Sequence, residues 1–248
     1  MSQLPDAPVR RELVLVMPVY NEAGCIAAVV KKWRDAFEVL AIDFELLVLN
    51  DGSKDDTARE LERFISDPRV KVINKANSGH GPTILRGYRE AVGRAGWIFQ
   101  VDSDDEMAPD SFAQFWKRRH KYDALFGIRW HREQDGARRV LSAGSRVLVG
   151  LLFGRGVRDV NVPYRLMRAS KLSPVVAAIP DDTFAPNLLI SGVLGRERGR
   201  VTNRLVPHEN RKTGTASLDP RKLGRIALLS GRQTLAFMLR FRLKGLGR

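Results

Sequence analysis

Four predominantly apolar runs of strand length dominate the first half of the chain: the continuous LVLVMPV (13–19), then FELLVLN (44–50), VKVIN (70–74) and WIFQV (97–101). Continuous apolar character, rather than polar–apolar alternation, marks strands that are covered on both faces. Helical patterns separate the runs. The clearest places Ile84, Tyr88, Ala91, Val92 and Ala95 on one face at spacings of three and four. Strand and helix alternating at this pitch imply a parallel sheet wound by right-handed crossovers. The expected fold class is therefore α/β, with a mostly parallel central sheet flanked by helices. In such sheets ligands bind beyond the carboxyl ends of the strands. Each run here ends in chemically unusual residues: PVYNE, NDGSKDD, NSGHGPT and DSDDE in turn. Four such ends on one rim describe a site.

Beyond residue 109 the pattern is looser. The sequence predicts a strand end and basic loop over 126–139, a helix over 139–153, a helix after the proline within 183–195, and a closing strand over 200–208. Residues 162–169 read as a strand or an interface segment. With no internal repeat and no low-complexity linker, the expected organisation is one domain over 1–217 and a basic, apolar-rich helical tail over 218–248. The single cysteine, Cys25, excludes a disulfide framework and a zinc cluster. The opening MSQLPDAPVRREL has no apolar core of the kind a secretory signal carries, and no stretch reaches the roughly 18 apolar residues of a membrane span. The expected location is cytoplasmic and not integral to a membrane.

The chemistry begins at residues 102–106, where Asp102, Asp104, Asp105 and Glu106 crowd four carboxylates into five positions. Like charges this close need a cation among them. One tight turn can aim Asp102 and Asp104 at a single divalent ion, with Glu106 adding a third oxygen. Hard oxygen ligands select Mg²⁺ or Mn²⁺, which keep open positions for substrate phosphates. In NSGHGPT (77–83) two glycines precede a helix, a place where backbone N–H groups can approach an anion. His80 there reads as a solvated turn residue. Asp51 and Gly52 can make the strand-to-helix turn after 44–50, and Asp55 or Asp56 reads as the cap of the following helix. A metal, a nucleoside diphosphate and a sheet rim together suggest transfer of a group activated by a nucleoside diphosphate.

PVYNE (18–22), NDGS (50–53) and DSD (102–104), in this order, resemble the family 2 inverting glycosyltransferases of GT-A fold. The likeness continues through FGIRW (126–130), RRVLS (138–142), RDVNVPYRLMR (158–168) and HENRKTG (208–214), and covers about residues 12–217. These segments are similar to the branch that moves a sugar from a nucleotide donor onto a polyprenyl phosphate, as dolichyl-phosphate mannose synthases do. The resemblance implies that Pro18, Tyr20, Glu22, Asp51, Asp102 and Ser103 hold the nucleotide, Asp51 reaching the base. It implies that Asp102, Asp104 and Glu106 bind the metal. Arg129, Arg138, Ser142 and Arg211 correspond to residues on the donor and lipid phosphates, and Asp104, Arg129 and Arg138 to the catalytic group.

The sequence departs from the family pattern at three places. Asn50 replaces the commoner first aspartate. The late arginine–glycine–serine–lysine pattern reads RKTGTAS, with Ser217 displaced and the lysine absent. Asn187 stands near where transferases to hydroxyl groups carry an acidic base. A phosphate acceptor is already ionised and needs positioning more than proton removal. Planar guanidinium groups suit two converging anions, while Arg165 and Arg168 are equally readable as solvated. Two enzyme alternatives stay open: a family 2 transferase acting on a soluble or polysaccharide hydroxyl, and a metal-dependent nucleotidyltransferase.

The formal net charge is +14, and +9 of it lies in residues 211–248. Such a tail suits an anionic partner. Three dispositions of its apolar run 226–239 are open: packed on the domain, at a bilayer surface, or against a membrane-embedded partner. On a helical wheel the run shows no clean amphipathic face. No nucleic-acid partner is expected.

Overall fold

The structure, a computed structural model, describes residues 11–130, 156–196, 200–209 and 223–243, together with positions 144, 147, 150, 151 and 154. Seven strands form one sheet: β1 (Arg11–Val19), β2 (Phe44–Asn50), β3 (Val70–Asn74), β4 (Ala95–Val101), β5 (Ala124–Trp130), β6 (Tyr164–Arg168) and β7 (Val201–Pro207), in the order β3-β2-β1-β4-β6-β5-β7. Strands β1 to β4 are mutually parallel, and β5 pairs parallel with β7. Among the described strands only β6 runs the other way, antiparallel to both β4 and β5. Six carboxyl ends therefore share one rim. The sequence read 162–169 as a strand or an interface segment; it is a strand, and it alone reverses direction.

Leu13 to Met17 and Leu46 to Leu49 are fully buried, which accounts for their unbroken apolar runs. Helix α1 (Ile26–Val39) covers one face through Ile26, Val29, Val30, Trp33 and Phe37. Trp33 meets Phe37, Phe99, Phe112 and Tyr164 with ring centroids 5.2–6.1 Å apart, pairs worth about 0.5–1.5 kcal/mol each beyond burial. The short α2 (Thr57–Glu62) follows β2. On the other face α3 (His80–Ala91) lays Ile84, Tyr88 and Ala91 on the sheet, as its spacing predicts. Helix α4 (Phe112–Arg118) precedes β5, α5 (Ala169–Ala178) and α6 (Pro186–Gly195) lie between β6 and β7, and α7 (Leu223–Leu243) ends the described chain. The four described positions Gly144, Val147, Gly150 and Leu151 are helical, as the sequence predicts for 139–153. No helix among the described residues is long and apolar enough to cross a membrane.

Gly52 and Gly81 are required by the geometry of the rim loops. Gly52 has φ +65°, and a Cβ there would lie 2.8 Å from the amide nitrogen of Asn77. Gly81, near the start of α3, lies against the main chain of the loop before α6. A Cβ at Gly81 would lie 2.0 Å from the carbonyl oxygen of Phe184 and 2.6 Å from that of Thr183. Backbone on both sides must move to admit it. Gly81→Ala is expected to destabilise the fold by about 2–3 kcal/mol, the cost of overpacking a tight contact. Urea unfolding measures this directly, and an unchanged midpoint would show that the loop yields freely.

Candidate active site

The rim is built from loops that hold one another. Asn21, with φ +55°, donates its N–H to Ser53 Oγ at 3.0 Å and accepts from the Lys54 N–H at 2.8 Å. The Glu22 N–H donates to Thr57 Oγ1 at 2.8 Å, and the Ala23 N–H to Asp55 Oδ2 at 3.1 Å. Asp55 also accepts from the first amide of α2, that of Thr57, so it caps as the sequence suggests. Asp56 makes no capping bond. Asn50 accepts from Ser53 and donates to Asn74 Oδ1 at 2.9 Å, tying the ends of β2 and β3. An aspartate there has no donor for that second bond, so the departure at this position serves the loop it sits in.

Asp51 is buried and engaged by the loop after β3. Its carboxylate accepts the N–H groups of Ser78 and Gly79, each at 2.9 Å, and the ammonium of Lys75. The glycine turn ahead of α3 therefore holds an anion, as its sequence suggests, but that anion is the protein's own Asp51. Of the other residues the resemblance assigns to the nucleotide, Pro18 is buried inside β1, two positions past the end of the β1–β4 ladder at Val16, where a missing N–H costs least. Glu22 and Ser103 are buried. Tyr20 stands out from the rim with 36% of its surface exposed, a ring available for stacking.

The four crowded carboxylates have separate partners. Asp105, with φ +58°, turns to Lys32, whose Nζ lies 2.5 and 2.8 Å from its oxygens. Glu106 Oε2 lies 2.9 Å from His208 Nε2, and its carbonyl accepts the Glu209 N–H at 2.9 Å, so Glu106 is bound to the segment that follows β7. Asp102 accepts from Gln100 Nε2 at 2.9 Å and has His80 Nε2 at 3.6 Å. Asp104 Oδ1 accepts the Glu106 N–H at 3.3 Å. Burial pushes the Asp102 carboxyl above the usual carboxylate range, an effect that the positive charge around His80 and Arg129 opposes. Among the described residues no three His, Cys, Asp or Glu side chains form a group able to hold a metal. Of the expected trio Asp102, Asp104 and Glu106, the last is bonded to His208.

Arg129, near the end of β5, is gripped by Asp159 in a bidentate pair, Nε to Oδ2 at 2.8 Å and Nη2 to Oδ1 at 2.9 Å. The pair leaves Nη1 out and fixes the guanidinium plane. Arg165 and Arg168, which the sequence left open between solvation and a binding role, are both structural. Arg165 is fully buried. Arg168 bonds Asp123 at 2.9 Å and stacks over Trp97 at 4.6 Å. Arg200 bonds the same Asp123, and with Arg168 it holds that carboxyl below its ordinary range. Arg138, Ser142, Arg211 and Ser217 lie outside the described residues.

Sequence reasoning missed two features. A buried chain runs behind the rim, in which Tyr88 donates to Asn187 Oδ1 at 2.9 Å and Asn187 donates to Gln100 Oε1 at 3.2 Å, Gln100 in turn holding Asp102. Asn187 thus faces the interior rather than an acceptor. The signal was Gln100 itself, a lone polar residue inside an apolar strand run. The other is His208, whose Nδ1 is buried without a hydrogen-bond partner; its signal was the HENRKTG segment directly after the closing strand. A cleft of about 600 Å³, lined in part by Lys75, Ser78, Arg86 and Arg89, follows the length of α3 rather than the carboxylates.

The family described as Glycosyl transferase family 2 matches residues 14–175. Similar curated proteins include the undecaprenyl-phosphate 4-deoxy-4-formamido-L-arabinose transferase of Pseudomonas fluorescens strain Pf0-1, 25% identical over 214 residues, which are 84% of this chain and 61% of that protein. The protein of the same name from Pectobacterium atrosepticum is 23% identical over 217 residues, 86% of this chain and 64% of that one. The chain thus spans less than two thirds of the length of these relatives. Among solved structures, glucosyl-3-phosphoglycerate synthase from Mycobacterium tuberculosis, in complex with Mn²⁺, UDP-glucose and phosphoglyceric acid, has a TM-score of 0.65 at 18% identity, over 92% of this chain and 80% of its own. Mannosyl-3-phosphoglycerate synthase from Rubrobacter xylanophilus has a TM-score of 0.64 at 13% identity, over 95% of this chain and 75% of its own. At these identities the likeness is one of fold.

Proposed function

The chain belongs to glycosyl transferase family 2, and from that premise we propose that it transfers a sugar, with inversion, from a nucleoside diphosphate donor to the phosphate of a polyprenyl phosphate. The observation that carries the reading is the half-buried Asp102, with Asp104 beside it at the end of β4 and Arg129 within electrostatic reach. The acceptor class rests on the similarity to undecaprenyl-phosphate transferases.

The donor set fits a divalent ion. Asp102 and Asp104 offer hard oxygens, and burial leaves the Asp102 charge undercompensated. With no three-residue cage among the described residues, the remaining ligands fall to donor phosphates and water, as is usual for Mg²⁺. When bound there, Mg²⁺ or Mn²⁺ supplies charge stabilisation to the departing nucleoside diphosphate. The chain's own residues do the rest. Tyr20 offers its exposed ring to the nucleoside, and the loops around Asp51 set the floor beneath it. Arg129, its guanidinium fixed by Asp159, is the proposed cation for the anions that must converge on the anomeric carbon. An acceptor phosphate oxygen forms the new bond to that carbon as its bond to the diphosphate breaks, the electron pair leaving with the nucleoside diphosphate. Such a nucleophile is ionised at neutral pH, which agrees with Asn187 standing inside the protein without a carboxylate. Arg138, Ser142 and Arg211 remain the proposed contacts for the phosphates. A lipid-borne acceptor supports a place of work at a membrane surface, proposed here to be its cytoplasmic face.

Thermal unfolding with UDP or GDP, each with and without Mn²⁺, tests the donor site. A ligand at about a hundred times its dissociation constant adds roughly 2.7 kcal/mol, which should raise the midpoint by about 5–10 °C. A metal-dependent rise with one nucleotide is expected. No rise with either removes the donor site from this rim. Transfer to a short, water-soluble polyprenyl phosphate, set against phosphorylated and free hydroxyl acceptors, then separates the proposal from a hydroxyl-directed member of the family.

A further inference from the structure

Helix α7 has two opposed faces, a division that the residue pattern alone did not show. Thr234, Phe237, Met238 and Phe241 are buried in the protein. On the other side Leu228, Leu229, Leu235 and Leu239 are 66%, 45%, 47% and 52% exposed. Positions 228, 232, 235 and 239 follow one another at steps of four, three and four, so Leu228, Arg232, Leu235 and Leu239 form one line down the helix. Leu229 and Arg240 flank it. The line covers about 17 Å of helix at 1.5 Å per residue. No acid follows Asp219 in the chain.

We propose that this outward face of α7 docks on an anionic lipid bilayer, with its leucines in the headgroup layer and its arginines on lipid phosphates. Charge selects the occupant. A protein partner of ordinary surface would bury Arg232 in the middle of the leucine line, whereas at a bilayer its long stem lies along apolar surface while its head reaches phosphate. An apolar face carrying arginine and no acid is the pattern of a helix lying in the interface plane, and anionic lipid attracts each added cation. The helix does not cross the bilayer.

The docking helix is joined to the rim. Gln233 accepts the Phe184 N–H at 2.9 Å and donates to the Asp182 carbonyl at 3.2 Å. That loop presses its Phe184 carbonyl against Gly81 in the first turn of α3, and His80, the first residue of α3, lies 3.6 Å from Asp102. A bilayer holding α7 therefore holds the carboxylate rim at a set place relative to its surface. The inference rests on the lipid-phosphate reading for its purpose, while its geometry stands alone.

Flotation of the full chain with phosphatidylcholine vesicles, with and without about one-third phosphatidylglycerol, tests it. Wild type is expected to float with the anionic vesicles, poorly with the neutral ones, and less in high salt. The triple variant Leu228→Glu, Leu235→Glu, Leu239→Glu alters exposed positions only, and circular dichroism confirms that it folds. Its vesicle partitioning is expected to fall about ten-fold or more. Wild type that stays unbound, or a triple variant that floats equally well, overturns the proposal. So does a wild-type dimer that the triple variant dissolves into monomers without any vesicle binding, since the face would then join two copies. Transfer to the short soluble acceptor separates the two readings. Equal rates for both proteins, with flotation lost only in the variant, support docking. Flotation lost in the variant while neither protein transfers sugar overturns the acceptor reading and leaves the docking face supported.

Discussion

Asp104→Asn should lower kcat for sugar transfer by about a thousand-fold or more, the equivalent of roughly 4 kcal/mol of charge stabilisation at the leaving diphosphate, while the protein remains folded. The substitution is nearly isosteric. Its amide oxygen can still accept the Glu106 N–H that Asp104 accepts now, so the turn after β4 keeps its shape. What disappears is one negative charge among four, and that relieves repulsion in the metal-free protein. The unfolding midpoint should therefore hold or rise slightly, whereas the midpoint increase brought by nucleotide with Mn²⁺ should vanish. Asp105→Asn is the internal comparison. Asp105 is next in sequence but turned to Lys32, so it should retain turnover near wild type and lose only a surface ion pair worth about 1 kcal/mol or less. Turnover of Asp104→Asn within ten-fold of wild type would sink the metal assignment. Equal losses in both variants would mean that the acidic cluster acts as a diffuse field.

The contrast between these neighbours shows what the sequence could reveal. Strand positions and the shared rim were legible because strands buried on both faces are apolar nearly throughout, and the strand-length runs LVLVMPV and FELLVLN alternate with helical patterns. That carboxylates, loops and arginines meet at the rim followed from topology. Which carboxylate faces which cation did not, because it depends on single backbone angles and on contacts distant in sequence. Asp105 leaves the cluster through a positive φ, and Glu106 is met by His208, about a hundred positions later. Asp51 was legible as important, but its partners Lys75, Ser78 and Gly79 come from the next loop, and local spacing cannot set that register. Helix α7 was obscured for a related reason. Its apolar residues cover most of the wheel, and only docking on the domain divides them into a buried set and an exposed one.

Arg165→Met should destabilise the fold more than Gly81→Ala or Asp104→Asn, and the reason lies in what surrounds the guanidinium. Strand β6 is covered on both faces, so alternation places Tyr164 and Leu166 on one side and Arg165 with Met167 in the interior on the other. Arg165 has no exposed surface, and its hydrogen-bond partners are all uncharged. Nε and Nη2 donate to the Val162 carbonyl at 2.9 and 2.8 Å, Nη2 to that of Val160 at 3.3 Å, and Nη1 to that of Asn187 at 3.2 Å and to Ser191 Oγ at 3.4 Å. Burial pulls its pKa down, yet a guanidinium retains its proton. Buried ion pairs can often be replaced by apolar side chains at little cost, because both partners leave together. Here the partners are main-chain carbonyls, which no substitution removes. Methionine fills the volume of the stem; the Val160 carbonyl keeps the Ser191 hydroxyl at 2.7 Å, but the Val162 carbonyl loses both of its guanidinium bonds and faces a dry interior, at about 1–3 kcal/mol for each bond left unmade. The total expected loss is about 3–5 kcal/mol, comparable to breaking a buried charge interaction, and should lower the midpoint by roughly 6–20 °C. Arg165→Lys keeps the charge and loses the fork, so it should fall between. The Asn187 carbonyl that Arg165 holds belongs to the residue that supports Gln100 behind Asp102, so metal-dependent nucleotide stabilisation should weaken in the methionine variant at temperatures where it is still folded. A methionine variant melting within about 2 °C of wild type would mean that water or relaxed backbone satisfies those carbonyls, and that the arginine is dispensable to the fold.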